Sequence, residues 1–217
     1  MKKENIRAIV TLTLITLIAG VLLGYIFELT KEPIAAQEAL AKQEACKSIF
    51  AAADSFEPYE GFDTEKANEA VAAHGFTQEY IDEVLIAKDS AGNPLGYVIN
   101  LHTMEGYGGE IDLSMGITNE GVLNGIEILS IGETAGLGMK ADTPEFKAQF
   151  AGKNVTQFAY TKAGANKEYE IDALSGATIT TNAMVNAVNA GLACFSDVLQ
   201  QNGTQAENGE GGVTADE

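Results

Sequence analysis

The chain has 217 residues, with 31 Asp and Glu against 13 Lys and Arg, and a formal net charge of −18. A surface this acidic repels nucleic-acid phosphates, so nucleic acid is excluded as a partner. The length is enough for one membrane anchor and one domain with a hydrophobic core.

The first predicted element is a transmembrane anchor at residues 8–27, a run without a charged side chain. At ~1.5 Å per residue it forms a helix of ~30 Å, which matches the hydrocarbon core of a bilayer. The alternative is a cleaved signal peptide, whose apolar stretch is usually only ~7–15 residues long. Lys2, Lys3 and Arg7 precede the run, so the positive-inside rule predicts that residues 1–7 are cytoplasmic and the rest of the chain is extracytoplasmic.

Residues 28–75 are predicted as a helical spacer between the anchor and a domain. The pattern predicts one helix over residues 32–56. A second Ala- and Glu-rich helix is expected from Thr64 to His74, because Gly75 is a typical helix stop.

Residues 76–200 are predicted as a single domain. Apolar alternation predicts a hairpin around the turn at 89–94, followed by strands at 111–117 and 122–129. A short helix over 142–150 and a short strand at 168–171 come next. Apolar residues three and four positions apart predict one buried face on a last helix, formed by Val185, Val188, Leu192, Phe195 and Leu199. The predicted fold class is α+β, an antiparallel sheet with flanking helices after a single N-terminal transmembrane helix.

The last predicted segment is a disordered acidic tail at residues 201–217. It carries four acidic and no basic side chains. It has too little apolar surface to offset the entropy of ordering.

The cysteines and histidines suggest no reactive centre. Cys46 and Cys194 form no CxxC or zinc spacing, and two buried apolar residues are favoured over a disulfide or a thiol ligand. His74 and His102 form no HExxH motif, so the sequence predicts neither a metal site nor a catalytic triad.

The segment best suited to chemistry joins the short strand to the last helix. Its sequence is Asp172-Ala-Leu-Ser175-Gly176-Ala177-Thr178. Small residues let a bulky group approach the backbone, and the start of a helix offers unpaired N–H groups that favour a phosphate. The alternative is an ordinary helix start capped by Thr180, Thr181 or Asn182, which is favoured on the residues alone.

This segment resembles the D-x-x-[ST]-G-A-T signature of FMN-binding domains that ApbE-type flavin transferases modify. The resemblance implies that such a transferase splits FAD and leaves FMN in a phosphodiester link to Thr178. It also implies that Ser175, Gly176 and Ala177 shape the site. Asp172 matches the acidic position that the transferase requires.

A second stretch, Gly132 to Lys140, resembles the E-T-P-G-L-G loop of the same domains. The resemblance implies that the flavin contacts Glu133, Thr134, Gly136 and Leu137. Ala135 replaces the usual proline, which makes the loop less stiff.

A third stretch, Gly106 to Ile111, resembles the family's glycine-rich entry to a strand, with a flexible turn as the alternative. Tyr107 and Phe146 are candidates to cover a ring face, although a core position is favoured for each.

The order of anchor, spacer and motifs resembles the G subunit of the Rnf complex, an ion-pumping ferredoxin:NAD⁺ oxidoreductase of bacterial membranes. The resemblance implies an electron-transfer subunit without catalytic residues of its own or a metal site. Its partners would be the membrane, the flavin transferase, and the other integral-membrane and redox subunits of the complex.

Three alternatives stay open at this point. The first is the C subunit of the Na⁺-translocating NADH:quinone reductase, which shares the same plan. The others are a stand-alone extracellular flavin reductase and a non-redox binding module.

Overall fold

The computed structural model describes residues 3–200. The chain forms two compact units, Met1–Ala41 and Lys42–Glu217. The predicted tail at 201–217, and the first two residues of the predicted cytoplasmic N-terminus, lie outside the described residues.

The first element is helix α1, Lys3–Ile49. It contains the stretch predicted as an anchor, and its large apolar side chains from Ile6 to Leu29 are exposed. Its segment Asn5–Ile49 is long and apolar enough to cross a membrane. Exposed apolar surface of this extent is unfavourable in water and favourable in hydrocarbon.

The prediction of a helix over residues 32–56 is wrong at its end, because α1 stops at Ile49. Strand β1, Ser55–Pro58, follows and pairs antiparallel with strand β2, Glu79–Lys88. Residues 51–53 form the turn between α1 and β1, and the pairing with β2 begins only at Ser55. The predicted spacer is consequently not helical throughout, although helix α2, Thr64–Ala73, lies where it was expected.

A five-stranded antiparallel sheet in the order β1-β2-β3-β4-β5 forms the centre of the domain. The remaining strands are β3, Pro94–Gly106; β4, Gly109–Thr118; and β5, Leu123–Ile131. The predicted hairpin is the β2–β3 pair, and the predicted strands at 111–117 and 122–129 are β4 and β5. The α+β fold class with an antiparallel sheet is confirmed.

Helix α4, Thr178–Cys194, covers one face of the sheet, which we call the helix face. A π-helical turn, Phe195–Leu199, continues it. The five residues predicted as its apolar face are all buried. The prediction of a single buried face is too narrow, however, because the small residues on the other sides of α4 are buried as well. At Gly191 the helix backbone meets the Met115 side chain so closely that a Cβ would collide with the sulfur.

The opposite side of the sheet, the second face, is also partly covered. Cys46, Ile49 and Phe50 pack there in a separate apolar cluster with Val98. Ser114 is buried on this face and donates to Asn100 Oδ1 over 2.6 Å. The alternating pattern of β4 predicted one buried face, and the structure buries both over part of the sheet.

The two cysteines are free and buried, which confirms their interpretation as small apolar residues. Burial raises the pKa of the Cys46 thiol to about 11 and that of Cys194 to about 12. Neither thiol is therefore ionised at neutral pH, so neither is a reactive nucleophile.

The remaining elements are short. The region predicted as one helix over 142–150 holds a 3-10 turn, Gly138–Asp142, and helix α3, Pro144–Lys147. Strand β7, Glu170–Asp172, lies near the strand predicted at 168–171, and it pairs in parallel with β6, Ala159–Thr161. The β6 strand had no clear signal in the sequence.

Candidate functional site

The two glycine-containing motifs, far apart in sequence, meet at one cavity of about 610 Å³. Residues predicted for the site that line it are Glu133, Thr134, Leu137, Gly176, Ala177 and Thr178. The other lining residues are Tyr107, Gly138, Ile179 and Thr180. Strand β5 leads into the first motif and strand β7 into the second, so the sheet and α4 together set their separation.

Helix α4 begins at this cavity without a side-chain cap. Its N-cap residue is Ala177, which has no side-chain acceptor to offer. The first helical hydrogen bond is donated by Thr181 N to Ala177 O over 3.0 Å. Within the described residues, the backbone N–H groups of Thr178, Ile179 and Thr180 have no hydrogen-bond acceptor. Such groups and the positive end of the helix dipole form a site for an anion.

The hydroxyl of Thr178 likewise makes no hydrogen bond to any residue in the range 3–200. The hydroxyl of Thr181, by contrast, makes two hydrogen bonds. It accepts from Leu174 N over 3.0 Å and donates to Ala177 O over 2.9 Å. The ordinary helix start expected from Thr180, Thr181 or Asn182 is therefore wrong, since the N-cap is Ala177 and none of these side chains accepts a hydrogen bond from the open N–H groups of α4.

Glu133 forms one wall of the cavity and is held in place by the β3–β4 turn. It is only 8% exposed, and its Oε1 accepts from Tyr107 N over 2.8 Å. Gly108, next in the turn, lies so close to the Gly132 carbonyl that a side chain would collide with it. The glycine-rich stretch at 106–111 is thus a tight turn that packs against the first motif.

Gly138 lies between Glu133 of the first motif and Thr180 in the first turn of α4. A Cβ there would lie 2.5 Å from Glu133 Oε2 and 2.7 Å from Thr180 Oγ1. Only glycine leaves room for both polar side chains at this point. Gly138 was quoted in the first motif but not predicted as a site residue, and its place as the last glycine of that motif was the available signal.

Tyr107 and Phe146 have different environments. Phe146 is buried in the core, packed edge-on against Phe150. Tyr107 is 71% exposed and lines the cavity, so the expectation of a core position is wrong for it. Its place in the β3–β4 turn agrees with the turn considered for residues 106–111, but the sequence did not show that this turn lies beside Glu133.

Three predicted site residues do not line this cavity. Asp172 Oδ1 accepts from Ala165 N over 2.6 Å and so holds the loop after β6. Ser175 is exposed, and Gly136 adopts a positive φ of 77° in the turn of the first motif. Their roles in transferase recognition and flavin contact stay predictions.

A second, open cavity of about 530 Å³ lies on the other side of Thr178 and Ile179. Glu105 lines it and accepts from Asn182 Nδ2 and Asn186 Nδ2 over 3.3 and 2.7 Å. Burial, followed by the charge of Glu105, raises the pKa of the neighbouring Glu79 carboxyl. Glu105 therefore lies beside the second and third turns of α4, and Glu79 is its neighbour.

The first cavity fits a phosphorylated flavin. Its volume lies within the ~300–1,000 Å³ range of ligand sites, and it is lined by apolar residues with a few polar groups at its edge. The open start of α4 suits the phosphate, and Gly108 and Gly138 let the backbone and side chain of the first motif pack closely.

Comparison with known proteins agrees with this geometry. Residues 106–193 match the FMN-binding domain family. The G subunit of the ion-translocating oxidoreductase complex of Methanosarcina acetivorans is 32% identical over 88% of this chain and 94% of its own length. The chain belongs to this G-subunit family. A second member is the G subunit of the Na⁺-translocating ferredoxin:NAD⁺ oxidoreductase complex of Acetobacterium woodii, 33% identical over 73% of this chain and 74% of its own.

Among solved structures, NqrC of Shewanella oneidensis has the same fold, with a TM-score of 0.50 and 16% identity over 73% of this chain and 88% of that chain. The family resemblance drawn from the motifs is confirmed, as is the preference for the G-subunit family. With its long apolar helix, this member of the family is a membrane protein that carries an FMN-binding domain.

Proposed function

We propose that this chain is the electron-transfer subunit of an ion-translocating ferredoxin:NAD⁺ oxidoreductase complex and carries FMN bonded covalently to Thr178. The observation that carries the proposal is the open start of α4. There, among residues 3–200, a hydroxyl without a hydrogen-bond partner and three N–H groups without an acceptor border one cavity. Family membership supports the redox role.

Attachment requires one exchange of bonds at phosphorus. The Thr178 oxygen forms a bond to the FMN phosphorus of FAD while the phosphoanhydride bond breaks and AMP leaves. The hydroxyl proton of Thr178 passes to a base of the flavin transferase. No electrons are transferred in this step, and the partner enzyme supplies both the base and the FAD.

Different residues of the cavity would then contact different parts of the attached FMN. The N–H groups of Ile179 and Thr180 lie at the helix end where a phosphate would accept from them. Leu137 and Ile179 offer apolar contact. The Glu133 side chain is fixed by Tyr107 N, so it stays in one position at the polar edge of the cavity.

FMN supplies the redox chemistry when bound, accepting and passing on electrons, and the protein supplies position and electrostatics. We propose that the flavin domain lies on the extracytoplasmic side, since Lys2, Lys3 and Arg7 precede the apolar run. A covalent link there prevents loss of the cofactor by diffusion. The redox partners are the neighbouring membrane subunits of the complex.

Intact mass of the full-length chain, co-expressed with an ApbE-type transferase, tests the acceptor. The wild type should gain the mass of one FMN less one water, and Thr178→Ala should gain nothing while unfolding at the wild-type temperature. Thr64→Ala is the matched control, because Thr64 is also the first residue of a helix. An adduct that survives Thr178→Ala would refute the acceptor assignment.

Membership of a complex needs a separate measurement. The tagged chain, extracted in mild detergent from its native membrane, should co-purify with other integral-membrane subunits and with ferredoxin:NAD⁺ oxidoreductase activity. Recovery of the chain alone, with full flavin reduction by small-molecule donors, would instead support a stand-alone flavin reductase.

A further inference from the structure

A cluster of potential metal ligands lies on the second face of the sheet, beyond the part that Cys46, Ile49 and Phe50 cover. One ligand atom from each of His102, Glu110 and Asp112 lies within 4.8 Å of the others. His102 and Asp112 are directly paired residues of β3 and β4, and Glu110 precedes Asp112 by two positions on the same face. Two carboxylates and an imidazole on adjacent strands form a rigid set.

The imidazole is oriented by a fourth residue on a third strand. Both carboxylate oxygens of Asp82, in β2, lie 3.0 Å from His102 Nδ1. A hydrogen bond to a carboxylate places the proton of the neutral ring on Nδ1, which leaves the Nε2 lone pair available. Tyr80 stacks on the ring with centroids 5.1 Å apart and fixes its plane. This is the arrangement in which a carboxylate orients a histidine that binds a metal.

The carboxylates of the cluster repel one another. The ligand oxygens of Glu110 and Asp112 lie within 4.8 Å of each other, so their negative charges oppose this arrangement. Within the described residues, no Lys or Arg forms an ion pair with Asp82, Glu110 or Asp112. A divalent ion between the carboxylates would offset their repulsion.

We propose that His102 Nε2, Glu110 and Asp112 bind one divalent transition-metal ion of the Zn²⁺ type, with Asp82 orienting His102. Three protein ligands of mixed nitrogen and oxygen type leave room for a water or a partner's ligand in a fourth position. The site is separate from the flavin site and does not depend on it. The ion would join β3 to β4 close to the turn whose Tyr107 lines the flavin cavity.

The sequence did not predict this site, because its ligands form no short motif of the kind that places metal ligands on one face of a helix. The interval between His102 and Asp112 spans the β3–β4 turn, and only the antiparallel register brings the two side chains together. Asp82 comes from a third strand, which no local pattern connects to the other two.

Co²⁺ binding to the full-length, detergent-solubilised chain tests the proposal, with protein made without the transferase so that flavin absorbance does not interfere. Visible d–d bands should appear and saturate at one Co²⁺ per chain, and Zn²⁺ should displace them. His102→Gln should abolish the bands. Asp82→Asn should weaken binding by about 10- to 100-fold, as loss of an orienting partner does in other sites.

His74→Gln is the matched control, since the chain has only two histidines and His74 pairs instead with Asp197. It should bind Co²⁺ as the wild type does. The double variant Glu110→Gln and Asp112→Asn removes the two carboxylate ligands. Thermal unfolding of each variant without metal then separates the loss of a ligand from misfolding. Absence of saturable binding in the wild type, or unchanged binding in folded His102→Gln, would overturn the proposal.

Discussion

Helices α2 and α4 begin with the same residue type, but only one of them has a capped first turn. Each has threonine at its first helical position, Thr64 or Thr178. In α2 the preceding residue is Asp63, whose side chain accepts from Lys66 N over 3.2 Å. In α4 the preceding residue is Ala177, and the first N–H groups have no acceptor in the described part of the chain.

The difference shows that the N–H groups at the start of α2 are capped by the chain itself, whereas those at the start of α4 are open to another molecule. Unpaired N–H groups that are partly removed from water are costly, so an uncapped start on the long buried helix needs a partner. A phosphate supplies oxygens for these donors and a charge that suits the helix dipole. A cap at Ala177 would compete for the same groups.

The largest expected effect comes from adding that cap. Ala177→Asp provides an acceptor for the open N–H groups and a negative charge that repels phosphate. We expect at least a tenfold lower flavinylated fraction by intact mass, roughly the effect of 1.4 kcal/mol, with no loss of folding stability. Ala177→Asn adds the acceptor without the charge and should lower the fraction less. Full flavinylation of Ala177→Asp would contradict the role given to this helix start.

The next largest effect is expected at Gly138, where Glu133 and Thr180 leave no room for a side chain. Gly138→Ala places a methyl group against Glu133 and Thr180, so the free energy of unfolding should fall by about 1–3 kcal/mol. Urea titration measures this. Gly125→Ala is the control, because a Cβ there has no neighbour within 4 Å. Equal stability of the two variants would show that Gly138 is not under steric constraint.

A smaller effect is expected at the capped helix. Asp63→Ala removes the cap of α2 and should cost about 1 kcal/mol of folding stability. The flavinylated fraction should stay at the wild-type level, because α2 begins outside the flavin cavity. If flavinylation drops together with stability, the two helix starts are not independent.

The smallest effect is a pH dependence from the carboxyl pair beside α4. Folding raises the pKa of Glu79 above its ordinary value of 4.5, so its contribution to stability is present below that pH and is lost as pH rises through the folded pKa. Glu79→Gln should therefore flatten the decline in unfolding temperature above about pH 4.5. Glu168→Gln, at an exposed position, should leave the decline as in the wild type.

The parts of the fold that the sequence predicts are those with a local period. Ile111, Leu113 and Met115 alternate, and they form one buried side of β4 as expected. The covering of Gly116 on the opposite side depends on Phe50, which lies more than sixty positions earlier. β1 likewise forms because β2 is available for pairing, and no local signal contains that information.

The candidate site shows the same division. The motif residues from Glu133 to Leu137 and from Gly176 to Thr178 were found by resemblance, and the structure brings most of them together. Thr180 joined them only through the fold, by the first turn of α4. Tyr107 was a candidate to cover a ring face, but its contact with Glu133 depends on the β3–β4 turn.

Peptide mapping by tandem mass spectrometry is the most direct measurement of the central claim. A proteolytic digest of the chain, produced with the flavin transferase, should yield one modified peptide, and fragmentation should place the added FMN on Thr178. A flavin located on Ser175 or Thr180, or a chain that stays unmodified beside an active transferase, would contradict the assignment of the open start of α4 as the attachment site.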